Sequence, residues 1–302
     1  MKRLLKRLLS PTQYRSLSRV KKQALLSIKY ALVKSPVILV GQVIKLFPDS
    51  SLVTLKSKIN VVKEMDYDRK AIFLSVESEF EYRIRLNSCK KEPDTIEWIE
   101  NFIKSGDVIY DVGANCGAYS LVASKFFDGK VKVYAFEPAY LNFNQLCKNL
   151  VINDLLESVV PLPVALSDTT SIATFNLQNL VPGGAIHALG EPIDNEGNEF
   201  TPAARQAVLS YRTDDLISQF KLEKPHHIKI DVDGAELSIL NGMEETFNGT
   251  SIRSVLIELN VAQGQNQKIL EYMTQKGLKL HSKCGLNHLF VRDMIGSEPR
   301  IQ

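Results

Sequence analysis

The segment Val108 to Ser120 reads VIYDVGANCGAYS: an apolar run, an acid and then two glycines, the order of a strand, a tight turn and a helix start. Glycine lets a backbone turn through positive φ or lie directly against a ligand, so Gly113 and Gly117 mark a loop suited to touch a nucleotide. Their spacing, D-x-G-x-x-x-G, differs from the G-x-G-x-x-G that rests a pyrophosphate on a helix N-terminus. One strand later YAFEP carries Glu137, and an acid there can accept two hydrogen bonds from a ribose diol. Asp111 brings a second carboxylate under the glycines. It repels a pyrophosphate and suits a ligand with an ammonium and a sulfonium, a description met by S-adenosylmethionine. A nicotinamide dinucleotide with oxidoreductase chemistry shares the diol acid and is the weaker alternative; a cofactor-binding module without turnover is a third.

Methyl transfer from a sulfonium is an in-line displacement, so alignment of the nucleophile and exclusion of water are the main demands. An alcohol acceptor also needs a base within hydrogen-bond reach. IKIDVDGAEL supplies Asp231 at a strand end, then Asp233 and Glu236, while VLIELN supplies Glu258 and Asn260. Asp231 and Glu258 are the candidate catalytic residues, because converging carboxylates can raise one another's pKa into the range of a base. With Asn260 they also offer oxygens that suit a divalent cation. Asp233 and Glu236 either join these converging carboxylates or merely cap the helix opening after Gly234. His226 and His227 begin the strand that ends at Asp231, which puts them at the far end of the sheet in solvent-facing, structural positions.

These residues need a scaffold of strand ends, and the pattern supplies one. Short apolar runs at 108–112, 131–136, 159–164, 228–232, 255–259, 278–281 and 288–291 alternate with helical patterns at 119–127, 142–153, 213–220, 236–247 and 266–276. Such alternation predicts an α/β, doubly wound, mostly parallel Rossmann-like sheet. The last two strands are separated by a short turn alone and are expected to pair antiparallel. Ahead of them, PDTIEWIENFIKSG reads as a helix with Asp94 as N-cap, and AIFLSVESEFEYRIRL, residues 71–86, alternates like one or two antiparallel strands. The weakly patterned segment Asn176 to Tyr211, with Gly183, Gly184 and His187 in its first part, reads as a lid or specificity loop.

The linked set VIYDVGANCGAYS, VYAFEPAYLNFNQLCKNLVIN, PVALSD, RTDDLI, HIKIDVDGAELSILNGM and VLIELN resembles FkbM-type S-adenosylmethionine-dependent methyltransferases over about Glu92 to Asp293. The resemblance implies a class I methyltransferase sheet of seven strands with the last antiparallel, and methyl transfer to a hydroxyl of a sugar, glycan or secondary metabolite. It implies that Asp111, Gly113, Asn115 and Gly117 line the methionine part of the cofactor, that Glu137 holds the ribose, and that Asn153 and Ala165 lie near adenine. Cys116 stands where the family often has a bulkier aliphatic residue. On this reading residues 93–302 form the methyltransferase domain, 51–92 a β-rich lead-in and 1–50 a basic helical extension.

The net charge of +3 hides an asymmetry: residues 1–48 hold 11 Lys and Arg and no acid, leaving 26 basic against 34 acidic residues in the remainder. A basic arm beside an acidic domain points to an anionic partner. The aliphatic character of the arm and the acidity of the domain argue against nucleic acid. Leu4, Leu5, Leu8 and Leu9 among Lys2, Arg3, Lys6 and Arg7 suit peripheral contact with a membrane surface. Lys34, Pro36 and Lys45 interrupt the apolar stretch around them too often for a spanning helix or a cleavable signal. Cys89, Cys116, Cys147 and Cys284 form no C-x-x-C pair and read as free thiols in a reducing, cytoplasmic compartment.

Overall fold

A computed structural model describes residues 36–194, 196–259 and 265–292. These fall into two units divided after Asn60. The first holds a helix over 36–44 and α1 (Asp49–Lys58), in which no residue is buried.

The second unit opens with a short antiparallel pair, β1 (Val62–Glu64) and β2 (Phe73–Ser75). The strand pattern expected to run on to residue 86 stops there, and α2 (Glu79–Arg83) and α3 (Ser88–Lys91) follow. The reason is local: Ser78 accepts from the Glu81 N–H while the Glu81 carboxylate accepts from the Ser78 N–H. This capping box satisfies two helix-end donors at once and overrides the alternating pattern. In α4 (Pro93–Phe102) the N-cap is Glu92 and Pro93 opens the first turn, so Asp94 is a first-turn acid and not the cap expected of it.

The chain then alternates: β3 (Val108–Val112), α5 (Ala118–Phe126), β4 (Lys132–Phe136), α6 (Tyr140–Asn153) and β5 (Val159–Leu162). The expected strand over 159–164 breaks after Leu162, and Val164 starts a separate one, β6 (Val164–Leu166). Next come β7 (Ser171–Leu177), β8 (Ala188–Leu189), β9 (Ala204–Tyr211), α7 (Thr213–Phe220), β10 (His227–Ile230), α8 (Glu236–Asn241) and α9 (Glu244–Phe247). The last elements are β11 (Ser254–Glu258), α10 (Asn266–Gln275), β12 (Leu278–Cys284) and β13 (Asn287–Arg292).

Seven strands form the main sheet in the order β12-β13-β11-β10-β3-β4-β5, with β13 antiparallel to both of its neighbours. This is the seven-stranded sheet with its last strand antiparallel that the resemblance implied. Every residue of β3 and β10 is buried, as strands covered on both faces require. One apolar layer gathers Ile109, Val133, Leu121 and Leu146, and the other gathers Tyr110, Val112, Phe136, Ile228 and Ile230. The segment 176–211, expected as a loop, contributes β8 and β9 to a second, four-stranded sheet, β6-β9-β7-β8. Its long pairing, Ser171 to Leu177 against Ser210 to Ala204, joins stretches far apart in the chain.

Candidate active site

The turn after β3 meets the carboxyl ends of β4, β10 and β11 around a cavity of about 400 Å³. Gly113, at φ +83°, is held there by contact: a Cβ would stand 2.1 Å from the Asp231 carbonyl oxygen. The N–H groups of Gly113 and Ala114 both donate to the Phe136 carbonyl at 3.0 Å. Gly117, at φ +86°, answers to a different neighbour, since its Cβ would meet Leu146 at 2.4 Å. It packs α6 against the turn and does not face the cavity.

Glu137 lies at one end of the cavity, buried, with one oxygen accepting from the Asn115 N–H at 2.8 Å and the other from the Ala139 N–H at 2.9 Å. Burial pushes its carboxyl up to about 7, against the pull of those N–H donors. Each oxygen keeps lone-pair capacity for a further donor. Gly113, Asn115 and Ala165 share this cavity.

Asp231 and Glu258 line the other end. Behind them, outside the cavity, is a residue that the sequence reading overlooked: Lys229, buried, its Nζ 2.5 Å from Asp231 Oδ2 and over the Tyr119 ring at 4.8 Å. Burial opposes the charge on Lys229, but Asp231, Glu92 and Asp111 hold its pKa above the ordinary value. Burial likewise opposes charge on Asp231, yet Lys229 and a hydrogen bond from Glu258 hold Asp231 below the usual carboxylate range. Burial and the Asp231 charge push Glu258 upward. The two carboxyl groups are thus pushed apart, Asp231 toward the ionised form and Glu258 toward the protonated one.

Asp111 is not a wall of this cavity. It sits on the sheet face opposite Tyr110 and Val112, pairs in register with Lys229, and accepts from Ser120 Oγ at 2.6 Å. Asn153 is also elsewhere: its amide bonds the N–H and C=O of Phe73, so it extends the backbone pairing of β2 onto α6. Both departures follow from side-chain direction. Alternation along β3 sends Asp111 toward α5, and the inner face of α6 points Asn153 at the lead-in. Asn260 lies outside the described residues.

A roof crosses the cavity at Gly183 to His187. Arg85 donates twice to the Gly183 carbonyl, at 2.8 and 2.6 Å, Asn142 accepts from the Gly183 N–H at 2.9 Å, and the Asn115 amide donates to the Gly184 carbonyl at 2.7 Å. At the far side Asp233 accepts from the N–H groups of Ile186 and His187, so it pins the roof and does not cap α8. Burial first, then the Asp231 charge, push the Asp233 carboxyl up to about 6. Glu236 does serve the helix start, accepting from the Gly234 N–H at 3.1 Å. Ile186 carries φ +64°, a strained position for a β-branched residue, held by these contacts.

His187 lines the cavity, and its Nδ1 accepts from the Gln178 N–H at 3.2 Å. The ring proton is then on Nε2, and burial lowers its pKa to about 4. It is a neutral donor at neutral pH.

The chain matches the model of the methyltransferase FkbM domain over residues 111–280. It belongs to the FkbM-domain methyltransferase family. It is 26% identical over 176 residues to a hexuronic acid methyltransferase of Haloferax volcanii, covering 58% of this chain and 65% of that one. It is 30% identical over 198 residues to methyltransferase sdnD of Sordaria araneosa (59% and 76%), and 26% identical over 193 residues to the 31-O-demethyl-FK506 methyltransferase of Streptomyces tacrolimicus (58% and 74%). The chain thus spans from about two thirds to three quarters of the length of these relatives. The family match runs from Asp111 through β10 and β11 and so takes in both ends of the cavity of this FkbM-domain protein.

Proposed function

We propose that the protein transfers a methyl group from S-adenosylmethionine to a hydroxyl oxygen of a sugar, glycan or secondary metabolite, in a reducing, cytoplasmic compartment. One observation carries this reading: a single cavity with a buried diol-binding acid, Glu137, at one end and the Asp231–Glu258 pair at the other. The residues present fit the cofactor, because Gly113 and Asn115 line the cavity beside Glu137, which keeps acceptor capacity toward it. The two relatives named for an acceptor, one a hexuronic acid and the other a demethylated metabolite, favour sugar or metabolite hydroxyls.

When bound, the cofactor supplies an electrophilic sulfonium methyl. Glu137 and the Asn115 turn hold its nucleoside, and the roof keeps water from the reacting end. As an acceptor oxygen forms its bond to carbon, the hydroxyl proton becomes strongly acidic, so even a carboxylate with a lowered pKa can take it. Asp231 accepts it. Glu258 anchors Asp231 with its hydrogen bond, and Lys229 keeps it ionised between turnovers. A divalent cation fits these donors poorly: an ammonium occupies Asp231 Oδ2, and among the described residues no group of three His, Cys, Asp or Glu side chains could hold a metal.

Calorimetric titration with S-adenosylhomocysteine and with NAD separates methyl transfer from hydride chemistry; tighter binding of NAD overturns the proposal. Incubation with labelled cofactor and a fractionated cell extract, followed by mass spectrometry, identifies the acceptor. Methylation of nitrogen instead of a hydroxyl overturns the acceptor class.

A further inference from the structure

In the first unit, seven of the nine residues of the helix over 36–44 are exposed, and Gly41 and Ile44 are half-buried. In 36–44 the residues Val37, Ile38, Leu39 and Val40 are consecutive and 54–65% exposed, and four consecutive residues sweep about 300° of a helix circumference. Val43, Leu46 and Phe47 continue the apolar surface, at 48%, 83% and 53%. Apolar side chains standing in water on all sides of a short helix cost free energy unless another phase or surface takes them up.

Charge selects the occupant. The helix belongs to a stretch, residues 1–48, that carries 11 Lys and Arg and no acid. A second copy of the chain would bring like charges together across a symmetric contact, which disfavours self-association. An anionic bilayer attracts the basic residues and dissolves the apolar ones. Nine residues span only about 14 Å, well short of the roughly 30 Å of a hydrocarbon core. No described helix is long and apolar enough to cross a membrane. We infer that the 36–47 segment inserts shallowly into one leaflet of an anionic membrane, with the basic residues around it held at the headgroups, and so tethers this protein to a lipid surface.

The test uses the full chain with vesicles of phosphatidylcholine alone or mixed with phosphatidylserine, beside the double variant Leu39→Glu/Val43→Glu. Both positions are exposed, and an unchanged unfolding midpoint verifies that the variant folds. The full chain is expected to co-sediment with the anionic vesicles, weakly with the neutral ones and less at high salt, and the double variant to bind at least about tenfold more weakly. Equal partitioning of parent and variant overturns the inference, as does equal binding to neutral and anionic vesicles. Sedimentation velocity without lipid covers the other occupant: a dimer abolished by the variant, with no vesicle binding by the parent, also overturns it.

Discussion

The two ends of the main sheet carry the same kinds of group and use them in opposite ways. At the amino ends of the strands, Asp107 receives Arg253 at 2.6 Å, His227 at 3.0 Å and the Lys104 N–H at 2.8 Å. His227 also bonds Ser254, which in turn receives Trp98. His227 is buried, not solvent-facing as the sequence suggested, and its neighbour His226 accepts from the Val108 N–H. Asp107 and His227 satisfy one another, and neither lines the 400 Å³ cavity. At the carboxyl ends Asp231, Glu258 and Glu137 are also bonded, but each turns toward the 400 Å³ cavity. A closed network holds strands together, whereas one facing an enclosed space holds something else.

That contrast predicts separable phenotypes. The largest effect is expected at the closed end. Asp107→Ala removes the acceptor from Arg253 and leaves the buried Nε2 of His227 without its partner, a loss of about 3 kcal/mol. The value sits at the low end of such losses because the Arg253 side chain is 34% exposed. Chemical denaturation measures it, and affinity for S-adenosylhomocysteine in the folded fraction should not move. The sign with pH also follows. Despite burial, the hydrogen bond with His227 and its neighbours hold Asp107 at about 2. A carboxylate depressed in the folded state stabilises above its unfolded pKa of about 4, and that stability is lost as pH falls toward 2. In Asp107→Ala the acid dependence in that window flattens.

The next effect belongs to the open end. Asp231→Asn should bind S-adenosylhomocysteine almost normally and lose turnover by about 10²-fold or more, equivalent to about 2.7 kcal/mol of barrier. Full activity in this variant breaks the catalytic assignment. Chelation should leave the parent's turnover intact; loss of activity that added metal restores would break the metal-free reading.

Glu137→Gln tests the binding half of the cavity. Losing the charge that receives the ribose hydroxyls should weaken S-adenosylhomocysteine by about 2 kcal/mol, or roughly thirtyfold, with little effect on turnover at saturating cofactor. Because burial raises Glu137 to about 7, the carboxylate form that accepts both hydroxyls grows as pH rises through that value. Affinity should therefore increase between about pH 6 and 8 in the parent and stay level in the variant.

How much of this was legible in the sequence depends on the range of the interaction. The strand starts and ends around Val108, Phe136, Ile230 and Glu258 were readable because each strand is a short apolar run with local punctuation. The four-stranded sheet was not, since β7 and β9 pair across an intervening segment and β9 buries the polar Ser210 while its Leu209 is exposed. Glu137 and Asp231 were readable as strand-end acids. Asp111 and Asn153 were legible as polar residues at element ends, but their protein partners, Ser120 and the Phe73 backbone, come from packing that the local pattern does not show. For Asp233 a capping role and a place among the converging carboxylates both stayed open, because its partners, the N–H groups of Ile186 and His187, come from a remote loop. Lys229 had a visible signal, a lysine between the two isoleucines of HIKI, and parity would have set it on the face of Asp111 and Asp231.

Lys229 supplies the smallest and sharpest test. It does not line the cavity and reaches it only through Asp231, so its proposed action is that of an ammonium that keeps this carboxylate ionised. Lys229→Met preserves much of the apolar stem and removes the charge. Asp231 is then left buried beside Glu258 without its counter-ion, and its pKa should rise by about one unit or more, about 1.4 kcal/mol. The acidic limb of kcat/KM should move to higher pH by that amount, while activity at alkaline pH, where Asp231 is again ionised, recovers most of its parent value. S-adenosylhomocysteine affinity should hold throughout, since Glu137 is at the other end. A lysine serving only to pack α5 against the sheet would depress the whole profile evenly and leave the limb in place, and that result would reject the electrostatic role.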